Sequence, residues 1–222
     1  MEERIEHTTL AEKAYEKVRS GLISARFEPG EILRIRSLAA EYGISATPVR
    51  EALQRLVAEN ALELQPNKSF KVPVLSTARF EEVRRIRCAL EPMAAELACP
   101  NITKQEMQIL TSLVEQMDRS IDNLNSADYT IQNEQFHFFI YERANSPLLL
   151  DMIRDLWVQV APFFNRLFQG SDYLRNSNYW HKHIVDALRN GDMNKVSRGI
   201  SSDIETAGNE LRLILEDSEK LD

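Results

Sequence analysis

The hydrophobic positions change their rhythm once along this chain, near residue 75, and the change divides it into two units. Leu10, Ala14, Val18 and Leu22 recur every four residues, the mark of an amphipathic helix, and Phe27-Glu28-Pro29-Gly30 stops it. A short second helix follows on Leu38, Ala39 and Tyr42. Gly43 suits a sharp turn at positive φ, Ser45 an N-cap, and Pro48 the first turn of a third helix, where a missing N–H costs little. Val49, Ala52, Leu53 and Leu56 give that helix its buried stripe. Leu62 to Gln65 and Phe70 to Val74 predict two short strands around Pro66-Asn67-Lys68-Ser69, a wing-like hairpin.

Beyond residue 78 only helical periodicity remains. Helices are predicted at 78–98, 103–124, 128–144, 148–168, 172–190 and 193–216, with Pro92 bending the first. Breaks fall at Pro100-Asn101, 123–128, Asn145-Ser146-Pro147, Gln169-Gly170 and Asn190-Gly191-Asp192. The fold class is therefore mainly α. Residues 1–75 form a winged helix-turn-helix and residues 76–222 an all-α bundle of six or seven helices, joined by a short linker near 73–78 that couples them closely.

Composition narrows the functional classes. No run of about 18 apolar residues exists, so no membrane span is expected, and the polar start of the chain is not a signal peptide. Cys88 and Cys99 fall on one predicted helix, roughly 16 Å apart at about 1.5 Å per residue, too far for a disulfide. A reduced, cytoplasmic protein is the expectation. The net charge of −7 is uneven: residues 1–75 hold 11 Lys/Arg and 11 Asp/Glu, whereas residues 76–222 hold 16 and 23. DNA binding needs a local basic face rather than a basic chain.

The third helix supplies candidates for that face. The first residues of a helix docked in the major groove point at base edges, and here they are Ser45, Ala46, Thr47 and Arg50. Arg50 has the fork to pair with guanine O6 and N7, worth about 1–3 kcal/mol of discrimination. Thr47 suits a phosphate or a thymine methyl, Arg36 a phosphate or base, and Lys68 and Lys71 the backbone or minor groove. Surface cations of this kind are also found merely solvated, so the order of elements carries the reading.

In the second unit, several apolar stripes each carry a polar residue. Arg87 lies among Val83, Leu90, Ala94 and Leu97. Asn133 and His137 are i,i+4 neighbours beside Phe136, Phe139 and Ile140. His181 is in phase with Ile184 and Leu188, and Asp203 with Val196, Ile200, Ala207 and Leu211. Buried unpaired, such groups cost several kcal/mol, so they must meet one another, a metal, a ligand or water. Two His, one Asp and one Asn offer donors suited to Zn²⁺ or Ni²⁺. A small carboxylate would complete the sphere, with Arg87 as its counter-charge. Structural histidines satisfied within the core are the alternative.

Pro29-Gly30-Glu31, Leu38-Ala39 and Gly43-Ile44-Ser45-Ala46-Thr47-Pro48-Val49-Arg50-Glu51-Ala52-Leu53 resemble the winged-helix domain of the GntR family of bacterial regulators. The resemblance implies DNA contacts from Arg36 and Arg50. It departs at Ala46, where the family commonly has Arg, and at Ser69, where it commonly has Gly. Residues 80–215 resemble the helical effector domain of the FadR subgroup, the FCD domain, through Arg87 to Glu91, Phe136-His137, Asn145-Ser146-Pro147 and the run from His181 to Asp192. Many of that subgroup hold a divalent metal with one Asp and three His. Those positions fall on Asn133, His137, His181 and Asp203, so one carboxylate has crossed the site. The resemblance thus implies a homodimeric regulator, a repressor by the commoner mode, which binds an operator pseudo-palindrome and responds to a small organic acid. Two rivals stay open: a metal-dependent enzyme using the same four residues, for which no free general base is evident, and a constitutive DNA binder.

Overall fold

The computed structural model describes residues 9–24, 26–168 and 178–220. Among them are nine α-helices and one small sheet: α1 (Leu10–Ile23), β1 (Ile32–Leu33), α2 (Ile35–Tyr42), α3 (Ala46–Ala58), β2 (Glu63–Leu64), β3 (Phe70–Lys71), α4 (Thr77–Ala98), α5 (Lys104–Asp122), α6 (Ser126–Glu142), α7 (Pro147–Phe164), α8 (Tyr179–Arg189) and α9 (Met193–Glu219). Short 3₁₀ turns follow α4 and α7. The sheet is antiparallel in the order β1-β3-β2, pairing Ile32 and Glu63 with Lys71, and Leu33 and Leu64 with Phe70. Two residues are too few to display alternation, so β1 has no signal in the sequence.

Most helix starts have a side-chain cap. Thr9, Ser76, Asn125 and Asp192 accept from backbone amides three positions on, and Thr103 and Glu106 form a reciprocal capping box. Ser45 stands at the N-cap of α3 but makes no side-chain cap bond there, which leaves its hydroxyl outward. Gly43 ends α2 in the left-handed region at φ 66°, and a Cβ there would touch nothing. The glycine is required by the backbone and not by crowding.

Two apolar cores form. Ala14, Val18, Leu22, Leu38, Val49, Leu53, Leu56, Phe70 and Val72 close the first, and the second fills the space between α4 and α9. Leu10 and Leu97, expected on buried stripes, are instead exposed. Leu10 opens α1, and Leu97 lies on the outer face of α4. The predicted break at Gln169-Gly170 and the start of the predicted 172–190 helix lie outside the described residues; α8 opens at Tyr179.

The two cores interlock. Val158 of α7 packs into the first, and Ile23 of α1 into the second. Arg19 of α1 pairs with Glu134 of α6 at 2.9 Å, with both side chains largely covered. Gln159 of α7 accepts from Arg79 (3.1 Å) and donates to the carbonyl of Glu59 (3.4 Å), the C-cap residue of α3.

Candidate functional site: a helical reading head and a buried cage

Ser45, Thr47 and Arg50 lie exposed at the first turns of α3, and Arg36 is exposed on α2. Lys68 sits at the hairpin tip, at φ 62°, beside an Asn67 side chain that accepts from the amide and hydroxyl of Ser69. Two other cations of this unit are tied down: Arg55 by Glu12 and Glu59, Arg26 by Glu41. Arg36, Arg50 and Lys68 have no ion-pair partner among the described residues. Arg36 on α2, Arg50 on α3 and Lys68 at the hairpin tip are thus cations left unneutralised by ion pairs among the described residues, on a unit of zero net formal charge.

In the second unit α6, α8 and α9 bring three predicted residues together. His137 Nε2 lies 3.2 Å from Asp203 Oδ2 and 3.3 Å from His181 Nε2, and His181 Nε2 lies 3.7 Å from Asp203 Oδ1. Both imidazoles are buried, each with an edge toward Phe136. Asn133 and Arg87 line the adjoining cavity with Phe80, Trp157, Phe164 and Asp203. That cavity is about 40 Å³, room for a few waters at most.

The partners of the far ring nitrogens fix what faces the centre. Tyr141 donates its hydroxyl to Glu91 Oε2 (2.7 Å), so its oxygen must accept from His137 Nδ1 (3.1 Å). Asn178 gives its amide to the Val114 carbonyl and to Asp118 (both 2.9 Å), leaving Oδ1 to accept from His181 Nδ1 at 2.8 Å. Both imidazoles therefore carry Nδ1–H and turn the Nε2 lone pair inward, onto a carboxylate. Three lone-pair donors this close repel unless a cation sits among them: a metal ion, or a proton on one ring. Burial pushes the His181 pKa down to about 4, against the pull of Asp203, so near neutral pH that ring is not the proton's home. Burial also works to raise Asp203, but His181, His137 and Arg87 outweigh it and hold the carboxyl below the usual range.

The spacing fits a metal. Ligand atoms about 2.0–2.1 Å from a tetrahedral ion stand about 3.3–3.4 Å apart, close to two of the three separations here. Backing by Tyr141 and Asn178 is the outer-shell arrangement that metal-binding imidazoles require. Asn133 supplies an amide oxygen on the same face of α6 as His137.

Arg87, the expected counter-charge for an acid, is already paired within its own helix. Its Nε meets Glu91 Oε1 at 2.6 Å, and its guanidinium lies 4.8 Å from the Trp157 ring centre. Burial opposes its charge, yet Glu91 keeps its pKa raised. It reaches the cavity as half of a neutral pair. Sequence reasoning missed Glu91, Tyr141, Asn178 and Trp157. Glu91 and Tyr141 each lie four residues beyond a predicted site residue, Arg87 and His137, a spacing that places side chains together on a helix.

Comparison with known proteins agrees with both halves. Residues 10–72 match the bacterial regulatory proteins of the gntR family, and residues 82–206 match the FCD domain. The chain is 35% identical over 167 residues to the HTH-type transcriptional regulator McbR of Escherichia coli K12, covering 75% of this chain and 76% of that protein. It is 33% identical over 166 residues to the Nta operon transcriptional regulator of Aminobacter aminovorans, covering 75% and 77%. The solved structure of E. coli McbR/YncC superposes with a TM-score of 0.85 at 31% identity, over 90% of this chain and 95% of that one. A winged DNA-reading head, a helical domain with an inward polar cage, and these two family matches make the chain a member of the GntR family of bacterial transcription regulators, in the branch that carries an FCD domain.

Proposed function

We propose that this protein is an effector-controlled repressor: residues 1–75 read an operator half-site, and residues 76–222 hold a divalent ion, Zn²⁺ or Ni²⁺, and bind a small carboxylic acid beside it. Asn133, His137, His181 and Asp203 hold the ion; Arg36, Ser45, Thr47, Arg50 and Lys68 meet DNA. The bound ion would supply positive charge that draws the acid's carboxylate. The protein works in the bacterial cytoplasm, where its operator lies; no helix among the described residues is long and apolar enough to cross a membrane.

One observation carries this reading. The helix that presents His137 to the cage presents the neighbouring Glu134 to Arg19 of the DNA-reading unit. A cavity of about 40 Å³ is far below the roughly 300 Å³ or more of ordinary ligand sites, so an organic acid enters only if the helices part. Parting them strains the contacts with α1 and α3, which shifts the population of DNA-competent arrangements.

A second copy of the chain is part of the proposal. Ile86, Leu90, Met93 and Leu97 repeat at intervals of 4, 3 and 4 along α4, and Ile86, Met93 and Leu97 are exposed. That stripe offers a seam for the same helix of a partner subunit, and two reading heads then match a pseudo-palindrome.

Two measurements test the reading. Elemental analysis of protein purified without chelator should find a divalent ion, lost in the variant His137→Ala, His181→Ala; full occupancy in that variant excludes this cage. Titration of labelled operator should move when the metal and a panel of acids are supplied, and identical isotherms throughout would overturn effector control.

A further inference from the structure

The cavity beside the cage carries two arginines, and each is already matched. Arg84 donates Nε and Nη2 to Glu81 (3.2 and 2.8 Å) and Nη1 to Asn209 (2.8 Å). Arg87 is held by Glu91, whose other oxygen takes the Tyr141 hydroxyl. Among the described residues lining the cavity, Asp203 is the formal charge without an arginine partner. A divalent ion beside Asp203 brings the local sum to +1. One carboxylate then restores neutrality, whereas a second would enter a site walled by the buried Arg87, His137, Trp157 and Asp203 without a counter-charge, which is costly.

A second observation concerns hydrogen bonding. Trp157 is fully buried, lines the cavity, and lies beside both Arg87 and His137. Its Nε1 is buried without a hydrogen-bond partner among the described residues, although buried indole N–H groups ordinarily have one. The indole is a donor only, so what satisfies it is an acceptor oxygen. Phe80, Phe164, Leu167 and Ile204 form an apolar part of the wall, alongside a polar part that includes Tyr129, Thr130 and Asn133.

We propose that the effector is a singly charged carboxylic acid with an apolar body and one further hydroxyl or keto oxygen, and that Trp157 selects it by donating its indole N–H to that oxygen. This rests on the reading of the cage as an effector site. It adds the charge class of the ligand and a residue that sets specificity. Arg87 contributes through position: stacked on the indole and neutralised by Glu91, it holds the ring in place without recruiting a second anion.

Calorimetric titration of the full-length, Zn²⁺-loaded protein tests it with matched acids: 3-phenyllactate, its deoxy counterpart 3-phenylpropanoate and the dianion phenylsuccinate, alongside the aliphatic 2-hydroxy-4-methylpentanoate, 4-methylpentanoate and isobutylsuccinate. The hydroxy acid of at least one series should bind about three- to tenfold tighter than its deoxy partner, the worth of one hydrogen bond, and the dianion should bind weakest. Trp157→Phe keeps a ring and removes the N–H, so it should erase the preference for the hydroxy acid over its deoxy partner. A dianion that binds tightest, or a hydroxyl preference undiminished in Trp157→Phe, overturns the proposal and leaves effector binding itself intact. The charge comparison needs only the wild-type protein, so it decides even if the variant folds poorly. No binding by either series, with an unmoved melting temperature, overturns the effector reading and this inference with it.

Discussion

At the residue scale the chemistry of this molecule is set by who holds the far side of each polar group. His137 and His181 differ from ordinary core histidines because each keeps its Nδ1–H and donates it to Tyr141 or Asn178, which turns both Nε2 lone pairs toward Asp203. A pH dependence follows. The His181 pKa is lowered in the folded state to about 4 from its usual 6.5, so the unfolded chain binds the proton first. Stability from this group is complete above about pH 6.5 and falls as pH drops toward 4. Asp203, whose pKa is also lowered, loses stability on acidification in the same direction. For chelator-treated protein, denaturant titrations at pH 7.5 and pH 4.5 should differ by an extra amount on the order of 3 kcal/mol from His181, absent in His181→Gln. An equal acid loss in that variant would place the sensitivity elsewhere. On the DNA side, Arg50 stands exposed and unpaired among the described residues. Arg50→Ala should weaken operator binding by about 1–3 kcal/mol with a smaller effect on random duplex. Equal losses on both would reduce Arg50 to a phosphate contact.

At the element scale two helices each serve both halves. On α6, Asn133 and His137 face the cavity while Glu134 faces Arg19. On α7, Trp157 borders the cavity while Val158 enters the first core and Gln159 reaches the Glu59 carbonyl at the end of α3. Successive residues on a helix point about 100° apart, so one helix between two units necessarily speaks to both. Glu134→Gln should cost about 1–3 kcal/mol of stability, the range for a charged hydrogen bond. It should also shrink the effector-induced change in operator affinity severalfold. A full effector response with Arg19 unpaired would show that this contact transmits nothing. The same reasoning explains which stripes sequence inspection read well. Val49, Ala52, Leu53 and Leu56 face a single core and are all buried, whereas α6 has apolar residues all round and little one-sidedness to read.

At the scale of the whole molecule, the proposed function sets a tight cavity against an open one that would admit an acid. Packing makes that a two-state choice, since well-packed interiors do not deform by degrees. The proposed dimer doubles its consequence, because both reading heads must keep half-site spacing. Replacing Ile86 and Met93 together by Glu should shift sedimentation toward the monomer and weaken binding to a full operator more than to a half-site. An unchanged sedimentation coefficient would place the seam elsewhere.

Much of this was legible along the chain. The order of helix, turn, capped helix and hairpin follows from local periodicity and from Gly43 and Pro48, because turns and helix ends are governed by nearest neighbours. The residues that converge on the cage were also visible, as polar groups out of place on apolar stripes. Local sequence does not encode which atoms meet across helices, so the pairing of Arg87 with Glu91, the tyrosine behind His137 and the unpartnered indole of Trp157 emerged only from the packed structure. The sequence by itself determined the helices, the hairpin and the residue types that burial would force together; the tertiary structure decided the pairing of β1 and the partners of the buried groups, and with them the sign and number of charges the cavity has left to offer, because those depend on distances between segments tens of residues apart.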